Sequence, residues 1–179
     1  VTFVIKDDSG VETSPITVAG TLILVSLVFF MAIGGLERAM QQVNITMMEM
    51  KVNKIAESCR SMLASPPGES KYSGARCSII FEAPKNIDYI SFGSDPDSNE
   101  SHEGILYYSV SGNKRSLIVD ESIIFRETMT IGNNILPSTK HLIITSPGKY
   151  EINFMLFYDK VTGKKYILSN IKDPALPIF

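Results

Sequence analysis

Two histidines, two cysteines and one acidic loop are the residues through which this chain could do chemistry. His102 and His141 lie far apart in sequence, and neither has a cysteine or a second histidine at metal-ligand spacing, so no zinc site is expected. In "SDPDSNESHEG", Asp95, Asp97 and Asn99 have the oxygen spacing that opens a calcium loop. Glu100, however, stands where such a loop needs glycine, and Leu106 where it needs the bidentate acid, so the stretch reads as a solvated surface loop. Gly163-Lys164-Lys165 lacks the earlier glycine and the following hydroxyl of a P-loop, and neither a G-x-S-x-G elbow nor H-E-x-x-H occurs. No catalytic residue, metal ligand or cofactor is expected, and a secreted enzyme is the least favoured class. Cys59 and Cys77 bracket a Pro/Gly turn, a spacing that allows a disulfide in an oxidising compartment and equally allows two buried thiols. Asn44-Ile45-Thr46 and Asn99-Glu100-Ser101 are glycosylation sequons. Cysteines and sequons together favour an exported head.

The elements that carry these residues are set by one composition shift. The chain has 179 residues, enough for one domain and an appendage, with 17 basic and 19 acidic side chains giving a net charge of -2. No basic surplus exists to neutralise a phosphate backbone, which argues against nucleic acid as a partner. Mean hydropathy is +0.10, and the excess lies at the start. No charged residue occurs from Thr13 to Leu36, longer than the roughly 20 residues an α-helix needs to cross a bilayer core. A signal peptide would have an apolar region of only about 7 to 15 residues. A chain opening on Val1 is expected to have lost a preceding piece while keeping this run. Arg38, Lys51, Lys54 and Arg60 follow the run and taken alone would put the C-terminal side in the cytoplasm. Neighbouring acids offset them, and the cysteines and sequons point outward.

Past the run the pattern becomes one-sided. Leu36, Met40, Val43, Met47 and Met50 recur at steps of four and three, and Met48, Val52, Ile55, Cys59 and Met62 repeat the rhythm one position over. No proline interrupts the stretch from Ile16 to Ser65. Ser14-Pro15 suits a helix start, and Ser65-Pro66-Pro67-Gly68 an abrupt end. One helix over 14–65 is expected, oily on every side in its first half and amphipathic in its second. Gly34-Gly35 weakens it by about 1 kcal/mol per glycine relative to alanine. The pair marks either a hinge, bent or locally melted, or a site of close packing in company with Gly20, Ser26 and Ala32.

From Arg76 onward the text is strand-like. "CSIIFEA", "NIDYISFG", "GILYYSV", "RSLIVDESIIF", "HLIIT", "KYEINFMLFYD" and "KKYILS" are rich in Ile, Val, Tyr and Phe and separated by turn residues. Tyr107, Tyr108, Tyr150, Tyr158 and Tyr166 read as sheet residues, and "DKVTGKK" as a hairpin with Gly163 at positive φ. The expected fold class is α+β, with a long N-terminal helix and an antiparallel, sandwich-like head of about seven strands at 66–179. Met47, Met50, Val52, Ile55 and Met62 are expected to cap the head. In the extension 1–13, Val1–Ile5 ("VTFVI") reads as a strand without a partner at home, able to add to a neighbour's sheet edge.

"SPITVAGTLILVSLVFF", followed by "KIAESCRSMLASPPG" and a β-rich head, resembles the archaeal type IV pilins, including archaellins and related adhesion filaments. The resemblance implies a peptidase-trimmed leader, membrane storage before assembly, and helices bundled into the core of an extracellular filament coated by the heads. Leu22, Leu24, Val25, Leu27, Val28, Phe29, Phe30, Ile33, Leu36 and Met40 would then pack against other copies. Two departures stand beside it: residues 1–13 precede the apolar run, and no acid lies inside it. The competing expectation is a bitopic membrane anchor whose head binds an envelope partner, like the stator components of archaeal motors.

Overall fold

The computed structural model describes residues 15–65, 74–98, 101–131 and 134–172. The strand expected at Val1–Ile5, the Pro66-Pro67-Gly68 break and the sequon residue Asn99 lie outside the described residues. Among the described residues, one helix, α1 (Pro15–Leu63), is followed by nine strands: β1 (Arg76–Ala83), β2 (Ile87–Phe92), β3 (Ile105–Val110), β4 (Asn113–Ile118), β5 (Ile123–Ile131), β6 (Asn134–Pro137), β7 (Ile143–Ile144), β8 (Gly148–Asp159) and β9 (Lys164–Ile171). By contacts the chain divides into two compact units, Val1–Gln41 and Gln42–Phe179, so the second half of α1 belongs with the strands.

The first unit holds the apolar part of the helix. Its two described hydroxyls are satisfied locally, Thr21 Oγ1 donating to the Val18 carbonyl (2.9 Å) and Ser26 Oγ to that of Leu22 (2.8 Å), so they add no unpaired polar group to an oily surface. The helix runs unbroken through Gly34 and Gly35, with no melted turn there.

In the second unit, a five-stranded sheet is ordered β1-β8-β9-β5-β6 and a four-stranded sheet β4-β3-β2-β7. β8 alternates as the sequence suggests: Ile152, Phe154 and Leu156 are buried in a common core with Ile79 and Phe81 of β1 and Ile90 and Phe92 of β2. Phe92 meets Phe125 and Phe154 of the other sheet with ring centroids 5.9 and 5.6 Å apart. From α1 this core takes Ile45, Met48, Val52, Ile55, Ala56, Cys59 and Met62.

Three expectations need correction. Met47 and Met50 do not cap the head; they remain 43% and 60% exposed, while Met48 takes the buried place. At about 100° per residue, the Met48-Val52-Ile55 series occupies one face of the helix, and Met47 and Met50 lie a quarter-turn or more away from it. The sheets are not wholly antiparallel, because β5 pairs with β9 in parallel, Ile123 against Lys165 through Glu127 against Ser169. "RSLIVDESIIF" is two strands, since the chain turns at Val119–Ser122, where Asp120 Oδ1 accepts from the Ser122 N–H (2.7 Å). The β8–β9 hairpin forms as expected, with Gly163 at φ 68°.

Among the described residues, Arg60, Lys51 and Arg115 make polar contacts between the helix and the rest of the head. Arg60 donates through Nη2 to the Ile118 carbonyl (2.7 Å) and through Nε to that of Val119 (3.0 Å). Lys51 Nζ donates to the Glu82 carbonyl (2.8 Å). Arg115 Nη1 pairs with Glu49 Oε2 at 3.3 Å.

Candidate functional site

A helix becomes a site when it shows water more apolar surface than it can tolerate. All ten residues expected to pack against other copies, from Leu22 to Met40, are 52% to 82% exposed in the single chain. The most apolar 18-residue window of the helix has a mean hydropathy of 2.3 and no part of it is buried. Among the described residues, nothing lies within 4 Å of where a Cβ would stand on Gly20, Gly34 or Gly35. Surfaces of this size and continuity mark association with lipid or protein.

The apolar surface outlasts the charge-free run. Beyond Glu37 and Arg38 it narrows to Met40, Val43, Met47 and Met50, all exposed. Lys54 stands next in the same four-and-three rhythm and ends the stripe. In the second unit, therefore, α1 carries two apolar faces: Met48, Val52, Ile55, Cys59 and Met62 packed on the strands, and Val43, Met47 and Met50 left uncovered. Sequence reading placed both series but credited Met47 and Met50 to the head. Exposed Val18, Ile23 and Met31 also belong to the surface, and they were legible in the unbroken apolar run.

The chemistry-bearing residues take structural places. Where a calcium loop would hold its ion, a lysine stands instead. Lys114 Nζ donates to Asp95 Oδ2 (2.5 Å) and lies 3.4 Å from Asp97 Oδ2, and with Ser98 it holds the Asp95 carboxyl below its usual range. Asp97 also accepts from Tyr89 Oη (2.8 Å), and Tyr107 Oη meets His102 Nδ1 (2.8 Å), so the loop lies on the outer side of β2 and β3. His141 Nδ1 donates to the Phe92 carbonyl (3.0 Å), and Nε2 lies 3.1 Å from Arg126 Nη1. Among the described residues no group of three or more His, Cys, Asp or Glu could hold a metal.

Cys59 and Cys77 are both thiols in the structure, so the disulfide that their spacing allows is not formed here. They are neighbours: Cys77 packs against the core that buries Cys59. Burial first, then the nearby Cys77, pushes the Cys59 thiol up to about 12. Asn44 lies half-buried in helical backbone, beside core residue Ile45, and Thr46 Oγ1 donates to the Gln42 carbonyl (2.9 Å).

No protein-family model, curated protein or solved structure matches this chain.

Proposed function

We propose that this chain is a structural subunit of an extracellular, type IV pilus-like filament, held in the membrane by its apolar helix before assembly and by other copies of that helix afterwards. The observation that carries the reading is the uncovered stripe at Val43, Met47 and Met50. Exposed apolar residues run from Val18 to Met50, well beyond the roughly 20 positions that a bilayer core covers. A solitary bitopic anchor, the competing class, leaves the last turns of that stripe in water. A bundle of like helices covers both lengths, first on all sides and then along one seam.

In this reading the head coats the filament, its two sheets packed face to face as a sandwich around Phe92, Phe125 and Phe154. Small residues Gly20, Gly34 and Gly35 let neighbouring helices approach closely. The oxidising exterior joins Cys59 to Cys77, and sugars modify the sequons. The protein is a polymer unit and not an enzyme, needs no cofactor, and presents its head to a surface or cell as an adhesin.

Met47→Glu with Met50→Glu is the discriminating variant. Both side chains are exposed, so the head is expected to keep its thermal midpoint while negative-stain microscopy of the cell-surface fraction finds no filaments. Membrane-inserted monomers with unchanged partner binding, and no filaments from the unmodified chain either, would establish the anchor instead.

A further inference from the structure

The filament reading leaves the outer strands of the head unused. Among the described residues these are β1 and β6 in one sheet and β4 and β7 in the other, and β1 is paired only with β8. The Ala75 carbonyl accepts from the Leu156 N–H of β8 (2.9 Å), whereas the Glu82 carbonyl turns the other way to Lys51 Nζ (2.8 Å). Along a strand, alternate residues direct their backbone groups to the same side. Ser78 and Ile80, in phase with Glu82, therefore aim N–H and C=O away from the sheet.

Ile80 lines a cavity whose opposite wall is α1. One stretch, about 390 Å³, lies between Lys51, Lys54 and Ile55 of the helix and Ile79–Glu82 of the strand. The next, about 550 Å³, lies between Lys54, Ser58 and Met62 and the segment Ala75–Cys77. Lys54 borders both, and the two follow one another along the strand edge, Ala75–Cys77 and then Ile79–Glu82, as a trough with Lys54 at its middle. An edge strand beside a helix is the geometry in which extended peptides add to sheets.

We propose that this trough receives the segment Val1–Ile5 of a second copy of the chain as an added strand, resting on the filament reading for the neighbour that supplies it. Three features select this occupant. "VTFVI" is β-branched at Val1, Thr2, Val4 and Ile5 and aromatic at Phe3. Alternation puts Val1, Phe3 and Ile5 on one face, able to extend the buried layer of Ile79 and Phe81. Lys6, Asp7 and Asp8 follow, net negative, and the two carboxylates complement Lys51, Lys54 and Lys149, which outnumber the one acid, Glu82, at that end. That charge match sets the segment parallel to β1, and its five residues fill Cys77–Phe81, the length left before Lys51 takes the Glu82 carbonyl, with Val1, Phe3 and Ile5 beside Cys77, Ile79 and Phe81 on the buried face.

A labelled peptide of Val1–Asp8, titrated by fluorescence polarisation into the detergent-solubilised full chain deleted for Val1–Ile5, tests this. Saturable binding is expected, weakened by salt and absent for a scrambled peptide. Lys54→Glu should weaken it about 10-fold by removing a charge partner, and Ile80→Pro should weaken it by removing an outward N–H. Ile80 is 66% exposed, and an unchanged thermal midpoint establishes that each variant is folded. If Ile80→Pro does not fold, Lys54→Glu decides. No saturable binding, or equal binding by the folded variants, overturns the proposal. Filaments without peptide binding would sink this inference alone; peptide binding by a chain that never polymerises would sink the filament reading alone.

Discussion

His141 shows how a residue with catalytic credentials is put to structural use. Burial, with the Arg126 guanidinium adding to it, holds the imidazole below its ordinary value, against the pull of the Phe92 carbonyl. In the unfolded chain the ring takes a proton near pH 6.5, but in the fold only at lower pH. Between those values the unfolded state binds more protons, so stability is full above about pH 6.5 and falls as the pH drops through the window. The urea midpoint should decrease from pH 7.5 to pH 5.5, and His141→Gln should flatten that decrease; parallel profiles would refute the assignment. Gly104 is a second fixed point. At φ 75°, a Cβ there would stand 1.8 Å from the Asp120 carbonyl oxygen. Gly104→Ala should destabilise the head by several kcal/mol, on the order expected for backbone strain with a backbone clash, read as a loss of denaturant midpoint. Neither role was legible in sequence, because each depends on a partner brought near by the fold. The same holds for Lys114: Asp95 and Asp97 were visible as an acidic pair, but the cation between them arrives through the β3–β4 hairpin.

At the scale of elements, α1 has two apolar stripes with different duties, and mutation should separate them. Val52 and Ile55 are fully buried, so Val52→Ala or Ile55→Ala should cost about 2 to 5 kcal/mol of head stability. Met50→Ala should shift the denaturant midpoint hardly at all while reducing filament yield. Equal stability losses for Ile55→Ala and Met50→Ala would remove the distinction. The helix and most strands could be read from the chain because their signals are local: proline-free length, four-and-three spacing, alternation in "KYEINFMLFYD". β6 could not, since four residues ending at Pro137 carry little pattern and owe their strand to pairing with β5. Nor could the parallel β5–β9 pair, which joins segments about 40 residues apart by a long-range choice of neighbour. The error over Met47 and Met50 has a similar cause: spacing showed two overlapping stripes, and only contact with the strands decides which one is covered.

For the whole molecule, the question is what shelters the exposed helix. Val28→Asp places a charge where a filament core would bury it, at a cost of several kcal/mol if unpaired, and should abolish filaments while leaving the folded head intact. Intact filaments carrying that substitution would place Val28 outside the core and count against the reading. The attachment of α1 to the strands bears on what such a fibre can withstand. Arg60 and Lys51 tie the helix to the carbonyls of Ile118, Val119 and Glu82, and Glu49 of the helix pairs with Arg115 of β4, all spaced along the segment that also supplies Met48 through Met62 to the core. Tension along the helix axis therefore loads these fastenings together, in shear, instead of peeling them one after another. A subunit fastened this way should stretch its connecting helix before it surrenders its head, and single-molecule pulling between the two should record one high-force rupture and not a staircase of small ones.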